Sequence, residues 1–546
     1  MRRVTCWFGV AAAGLLVAGG PALAQTAPAG VVDPNAQQQR LFDSERYYQQ
    51  RRAREQRRDD RPVIEQSTSA SGGGLPETGR RFELSAVQFS DSAFIKAQKL
   101  HAIAADYVGN MVSFADINTM LERINGIYAE RGIVTARALV PPQTIEHGIL
   151  KVRLVEGRLG KLELEGNTHV HDAFISDRLA LEPDAVIDVP ALRRSMLYLN
   201  RTAKLDVQAS LRAGDEAGES DVILAVDEPA RFSGELFVDN NGTESTGEYR
   251  GGLIGRVYAP LGRDDMFTLL AVAADGSFNG MLDYNLPVNL RGGRLGFSYA
   301  RGKVDIKHGP NKALDIDGHS SQTSINYDQP VWYSRRYGLD FFARASHIES
   351  ETRISGFDLS EDKIWRLDSG AQLTGFGGRY QWVLRQGISY ARVKDIFADH
   401  DSYWLASGQG SFSYLLTNRL VGILRGGWQY AGESALPSSL LFQIGGVSSV
   451  RGYPESVVAA AHGLYASAEA QYRITDSIRP FVFVDYGMVD GTGISESITS
   501  VGAGLRWSIN TYLSGEIAWG QALRKVVPDQ NSGELHARIS LSLPGT

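Results

Sequence analysis

The sequence predicts a transmembrane β-barrel of about sixteen antiparallel strands, preceded by two small α+β domains and a polar helix. Three observations carry this reading. A secretory leader opens the chain, no later apolar run is long enough for a membrane-spanning helix, and from about residue 229 onward apolar and polar side chains alternate with a period of two.

The leader comes first. Arg2 and Arg3 precede an apolar run from Val10 to Val17, and Ala22-Leu23-Ala24 supplies the small residues of a cleavage site, so residues 1–24 read as a signal peptide. The run is far shorter than the roughly 20 residues that span a bilayer as a helix. The one cysteine, Cys6, lies inside this leader, which leaves a mature chain expected to hold neither disulfide nor thiolate metal site. A formal charge of −6 offers no basic footprint for nucleic acid. With 59 glycines and 22 Tyr, 21 Phe and 8 Trp, the composition suits a barrel with tight turns and aromatic girdles in outer-membrane lipid.

Residues 35–61 are rich in good helix formers, with Arg51 and Glu55 spaced to pair across one turn, yet they show no apolar stripe. Such a helix is solvated, disordered, or inserted in a polar cavity. Residues 62–80, with Ser67 to Gly74 inside them, read as a flexible linker.

Two units of like element order follow, residues 81–156 and 157–228, each strand, helix, helix, strand, strand. In the first, a strand is expected over Phe82 to Phe89. The helical spacing of Leu121, Ile124, Ile127 and Tyr128 marks a helix that Gly132 ends, and strands follow at Val134 to Val140 and Ile149 to Val155. In the second, Leu159 to Glu165 is a strand, Leu192, Met196, Leu197 and Leu199 mark a helix, and Val207 to Leu211 and Asp221 to Val226 complete the sheet.

From residue 229 to 546 the period is that of strands. Tyr380, Trp382, Leu384, Ile388 and Tyr390 alternate with Arg379, Gln381, Arg385, Gly387 and Ser389; Val501 to Ile509 and Leu535 to Leu543 repeat the pattern. A soluble sandwich also alternates, but charges along the row opposite the apolar one suit a wet lumen better than a dry core.

One segment stands apart. Val450-Arg451-Gly452-Tyr453 sits in a long glycine-containing stretch between two strands, and downstream Phe481, Phe483 and Asp485 share a strand face opposite Val482, Val484 and Tyr486. Two readings of Arg451 fit this spacing: a loop arginine clipped to an inward-facing Asp485 by a charge-assisted bond, or one more exposed loop charge. The Val-Arg-Gly-Tyr segment, the Phe483-Val-Asp485-Tyr-Gly487 strand and two preceding units of this order resemble the outer-membrane assembly and translocation barrels that carry polypeptide-transport-associated (POTRA) domains. The polar helix and linker before them resemble the two-partner secretion branch, the TpsB transporters of haemolysins and filamentous adhesins.

The resemblance implies a sixteen-stranded barrel in the outer membrane of a Gram-negative bacterium, with POTRA domains in the periplasm. It also implies a helix that plugs the pore, and a large secreted exoprotein of the TpsA type as partner. It places Arg451 against Asp485, with Gly452 permitting the turn and Tyr453 packing beside it, and calls for no cofactor. One departure is the ending Leu543-Pro544-Gly545-Thr546, where such barrels usually finish on an aromatic residue. No metalloprotease, esterase or phosphate-loop motif occurs, and His169 and His171 read as surface rather than as metal ligands. The competing functions are a factor that inserts other barrel proteins and a passive porin; the second would lack the docking domains.

Overall fold

The computed structural model describes residues 33–56, 64–66 and 81–546, except 217, 397–399, 529, 544 and 546. The leader with Cys6, the side chains of Arg51 and Glu55, and most of the linker lie outside the described residues.

The first α+β unit is built from strands β2 (Arg81–Glu83) and β3 (Ala86–Phe89), helix α2 (Ala97–Ala104), β4 (Met111–Ser113), α3 (Phe114–Glu130), β5 (Ala136–Leu139) and β6 (Ile149–Glu156). The single strand expected over residues 82–89 is split, because fully buried Leu84 turns into the core while the Ser85 N–H bonds to the Gly148 carbonyl at 2.8 Å. Helix α3 starts on a reciprocal cap in which Ser113 accepts from the Asp116 N–H and Asp116 accepts from the Ser113 N–H. Those bonds, the backbone one foremost, hold the half-buried Asp116 carboxyl below its ordinary value. Ile117, Met120, Leu121, Ile124, Ile127 and Tyr128 bury one face of α3 against Leu150, Val152 and Leu154 of β6.

The second unit contains β7 (Arg158–Glu165), α4 (Asp172–Ser176), α5 (Val189–Thr202), β8 (Asp206–Ala213) and β9 (Glu219–Asp227). The linker is not wholly without structure: Ile64–Gln66 forms a strand, β1, that pairs in parallel with the edge of β8, Ile64 opposite Ala209 and Gln66 opposite Leu211. An uncovered edge strand has free N–H and C=O groups, and three extended residues of almost any sequence can satisfy them. The sheet order is then β1-β8-β9-β7.

The core of this unit continues into the barrel, since Tyr258 and Ala259 pack among its buried residues. Fully buried Asp264 sits at the joint. It accepts from the Lys204 N–H at 3.0 Å, from Arg294 Nη1 at 2.9 Å and from the Tyr258 hydroxyl at 2.9 Å. His171 lies here too, its N–H bonded to the Gly262 carbonyl at 3.0 Å. Beside it the Tyr198 hydroxyl lies 3.0 Å from the carbonyls of Arg291 and Pro330, and the Arg201 guanidinium lies over the ring of Phe376 at 3.8 Å.

Sixteen antiparallel strands close the barrel, from Phe232–Asp239 to Gly533–Leu543. Side chains alternate as the period demands: Leu384 and Ile388 face outward and are exposed while Ser389 is buried inward, and near the end Leu535, Ile539 and Leu541 face outward against buried His536, Arg538 and Ser540. The wall is uneven. The first strand has 8 residues and Phe357–Phe376 has 20; the seam between first and last strands has six residue pairs, whereas Tyr337–Ile354 and Phe357–Phe376 share eighteen. The final strand reaches the seam on Leu543, paired with Gly234, without an aromatic residue.

Candidate functional site in the barrel lumen

The lumen holds a helix and a loop. Helix α1 (Pro34–Gln56) lies against the strands Arg294–Asp305, Ile316–Tyr333 and Tyr337–Ile354, and against the Ser438–Leu440 turn. Its lack of an apolar stripe matches what it touches. Glu45 accepts two bonds from Arg538, at 2.6 and 3.0 Å, and the Tyr48 hydroxyl accepts from Asn241 at 3.0 Å. Asp33, just before the helix, accepts from Ser350 at 2.9 Å. Leu41 supplies a small apolar anchor among Phe237, Ile254, Leu270 and Val272. Other polar atoms of this contact are buried without a hydrogen-bond partner, among them both side-chain polar atoms of Asn35 and the oxygen of Asn279.

The loop spans residues 432–461 between the strands Leu420–Ala431 and His462–Tyr472. It folds inward around a two-stranded ribbon, Phe442–Ile444 with Val458–Ala460, whose Ile444 and Val458 pack with Val450 and Tyr453 against Val489 and Ile498 of the wall. Val450 and Tyr453 are thus the loop's apolar grip. The Tyr453 hydroxyl also lies 2.8 Å from the Arg524 carbonyl and 3.0 Å from that of Thr499.

Between them, Arg451 is fully buried. Its Nε and Nη2 donate to the two oxygens of Asp485 at 2.8 and 3.0 Å, a bidentate fork, and its backbone N–H adds a third bond at 3.1 Å. Nη1 donates to Glu469 at 2.8 Å and Nη2 to the Ser467 hydroxyl at 3.2 Å. The ring of Phe483 lies 3.6 Å beneath the guanidinium carbon. The structure therefore brings Arg451, Asp485 and Phe483 into one cluster and leaves no exposed loop charge at Arg451.

The two glycines serve close approach. Gly452 has φ +86°, and a Cβ there would stand 2.7 Å from the backbone of Gly520. Gly487, two residues beyond Asp485 on the same inward face, leaves room for the loop: a Cβ would meet Ile444 and Val450 at 2.9 Å.

Sequence reasoning missed the rest of the cluster. Glu469 bridges Arg451 to Arg506, which donates to Glu469 through both Nη atoms and to Glu516 from Nε at 2.7 Å. Arg506 also reaches the Tyr47 hydroxyl of α1 at 3.4 Å, and Val447 of the loop packs on Tyr47 and Tyr48. Loop, wall and helix thus share one chain of charged groups. Arg506 and Arg538 were visible as charges on the polar rows of their strands; Glu469 was one polar residue among small ones.

Every charged group in this cluster is an ion pair or hydrogen-bond partner, and none is arranged as a nucleophile beside a base. Among the described residues no group of three or more His, Cys, Asp or Glu side chains could hold a metal ion. What the arrangement can do is hold two movable pieces against a wall by bonds that are strong when made and costly when half made.

Comparison with known proteins accords with this architecture. The family described as haemolysin secretion/activation protein ShlB/FhaC/HecB matches residues 218–507, and the POTRA domain of ShlB type matches residues 82–157. The chain is 23% identical over 464 residues to the heme/hemopexin transporter protein HuxB of Haemophilus influenzae, covering 79% of this chain and 82% of that protein. It is 23% identical over 426 residues to the outer membrane transporter CdiB of Dickeya dadantii, 72% of each. Among solved structures, CdiB from Escherichia coli superposes with a TM-score of 0.68 at 18% identity, covering 94% of this chain and all of that one. BamA from Haemophilus ducreyi, lacking its first three POTRA domains, gives 0.52 at 15% identity over 85% of this chain and all of that one.

Proposed function

This chain belongs to the haemolysin secretion/activation protein family ShlB/FhaC/HecB, an outer-membrane translocator of two-partner secretion whose POTRA domains face the periplasm, and from that premise we propose how it moves its cargo. The cargo is one large secreted protein, taken up unfolded. Its N-terminal region adds a strand to an uncovered sheet edge in the docking domains, where backbone hydrogen bonds give affinity without strict sequence demand. β3 and β5 bound the sheet of the first domain, whereas the β8 edge of the second already carries β1.

Helix α1 then leaves the lumen, and the cargo passes outward through a single barrel and folds at the surface, with no catalytic step by this chain. The observation that carries this reading is how α1 is held. Its contacts are a few charge-assisted bonds, with Glu45 on Arg538 foremost, beside buried polar atoms that lack partners, an interface more easily exchanged for water than an apolar one would be. Arg451 keeps the loop folded against the wall while this happens.

A factor that inserts other barrel proteins is the alternative of a different class. Passing periplasmic extract over the immobilised docking domains separates the two. Recovery of one large exoprotein is the expected result, and recovery of many barrel precursors would sink the secretion reading.

A further inference from the structure

Two stretches of the barrel repeat one another. Gly296-Phe297-Ser298-Tyr299-Ala300-Arg301-Gly302-Lys303 and Gly387-Ile388-Ser389-Tyr390-Ala391-Arg392-Val393-Lys394 agree at six of eight positions without a gap. They lie in the strands Arg294–Asp305 and Tyr380–Lys394, the fifth and ninth of the barrel. The first strand leaves the periplasmic domains and runs outward, so in an antiparallel barrel every odd strand does. Both repeats therefore finish at the cell-surface rim.

Their facing is the same. Ala300, Val304, Ala391 and Val393 are buried on the lumen side. By alternation Tyr299, Arg301 and Lys303, and likewise Tyr390, Arg392 and Lys394, point to the lipid side, and all four basic residues are exposed. Below them on the same rows stand exposed Leu295 and Phe297 in one strand and exposed Leu384 and Ile388 in the other. Each strand end thus reads, from membrane to rim, apolar, Tyr, Arg, Lys. The ring of Tyr390 is 5.0 Å from that of Trp404, an aromatic pair at the lipid boundary.

The basic side chains are unlike those of the lumen. Arg451, Arg506 and Arg538 each hold a carboxylate, but among the described residues no hydrogen bond or ion pair engages the side chains of Arg301, Lys303, Arg392 or Lys394. Glu361, the acid whose field Lys394 reaches, is already bonded to Lys363 at 2.7 Å. An Arg fork with a Lys two residues along the same strand face, about 7 Å away, offers a bidentate and a point contact to a phosphorylated group. The two ends stand four strands apart, about 19 Å across the sheet, too far to share one phosphate.

We propose that each Tyr-Ala-Arg-Xaa-Lys strand end binds the phosphorylated headgroup of an outer-leaflet glycolipid, Arg301 with Lys303 in one site and Arg392 with Lys394 in the other. Tyr299 and Tyr390 each stand two residues below the arginine on the same lipid-facing row.

The test is a titration of the purified full-length protein in detergent with bisphosphorylated lipid A, counting bound lipids by native mass spectrometry. Wild type is expected to hold two. R301Q/K303Q and R392Q/K394Q should each hold one, the lost site being about 30-fold weaker, which is about 2 kcal/mol and in line with two basic groups at a charged membrane surface. The quadruple variant should hold none, while R301K/R392K, which keeps the charge and loses the fork, should hold both lipids more weakly than wild type. Retention of both lipids by the quadruple variant, or equal binding of fully dephosphorylated lipid A to wild type, overturns the proposal. So does binding of inorganic pyrophosphate as tight as that of lipid A, which would make the sites ones for a free anion. The heat-modified gel mobility of a folded barrel checks each variant, and should the quadruple fail to fold, the two double variants carry the test alone.

Discussion

Arg451 has no solvent to turn to if its partners are lost, and Asp485 has none either, both being fully buried. Truncating one member of such a pair costs about 3–5 kcal/mol, because the charge left behind stays buried. That cost falls on the docked loop, since the sixteen-stranded ladder contains neither Arg451 nor its neighbours in the loop. Arg451→Ala should therefore leave a heat-modifiable barrel while lowering export at least tenfold, read by immunoblot of the exoprotein in the medium; normal export would remove the clip from the mechanism. Arg451→Lys keeps the charge without the fork and should reproduce most of the loss. The inward placing of Phe483, Asp485 and Gly487 was legible because strand alternation is local. Glu469 was not, because its place opposite Phe483 depends on a pairing between the strands His462–Tyr472 and Ile478–Gly491 that no single stretch of sequence displays.

Helix α1 is an element whose sequence makes sense only with its surroundings. A stripe of apolar residues would have betrayed a protein core; Glu45, Tyr47 and Tyr48 instead meet arginines and amides of the inner wall, so the segment looks like a solvated helix. Deleting residues 35–56 should raise single-channel conductance in planar bilayers several-fold, and Glu45→Ala, which strips the bidentate partner from Arg538, should raise the frequency of opening. Unchanged traces for both would take the helix out of the gate. Strand β1 was invisible for a different reason: Ile64-Glu65-Gln66 carries no strand pattern, and the edge of β8 supplies its partner. In the first docking domain, helix α3 announced its face and its end but not its cap. Ser113→Ala should cost about 1 kcal/mol of that domain's stability. Asp116, held below its ordinary value when folded, contributes above the unfolded carboxylate range, and the contribution fades as pH falls through the lowered folded value. Ser113→Ala should accordingly narrow its gap from wild type as denaturation midpoints are measured at successively lower pH.

At the scale of the molecule, the second α+β unit and the barrel share one buried carboxylate, beside the contacts of His171, Tyr198 and Arg201 and the apolar core around Tyr258. Asp264 takes bonds from both sides, from the Lys204 backbone of the domain and from Arg294 and Tyr258 of the barrel. Asp264→Ala leaves Arg294 without its anion and should favour opening of the joint by about 3 kcal/mol, roughly a hundredfold. Limited trypsin digestion at Arg231, between domain and barrel, is the measurement, and cleavage no faster than in wild type would show that the apolar core running through Tyr258 and the contacts of His171, Tyr198 and Arg201 hold the joint without Asp264. The unequal strands described above bear on what happens at the other end. A strand of 20 residues is about 66 Å long and one of 8 about 26 Å, so the barrel's upper margin is cut aslant, high across from the seam and low beside it. A polypeptide coming out of such a mouth has wall beside it longest at the hairpin of Tyr337–Ile354 and Phe357–Phe376, so its first contacts outside the membrane are expected on that side.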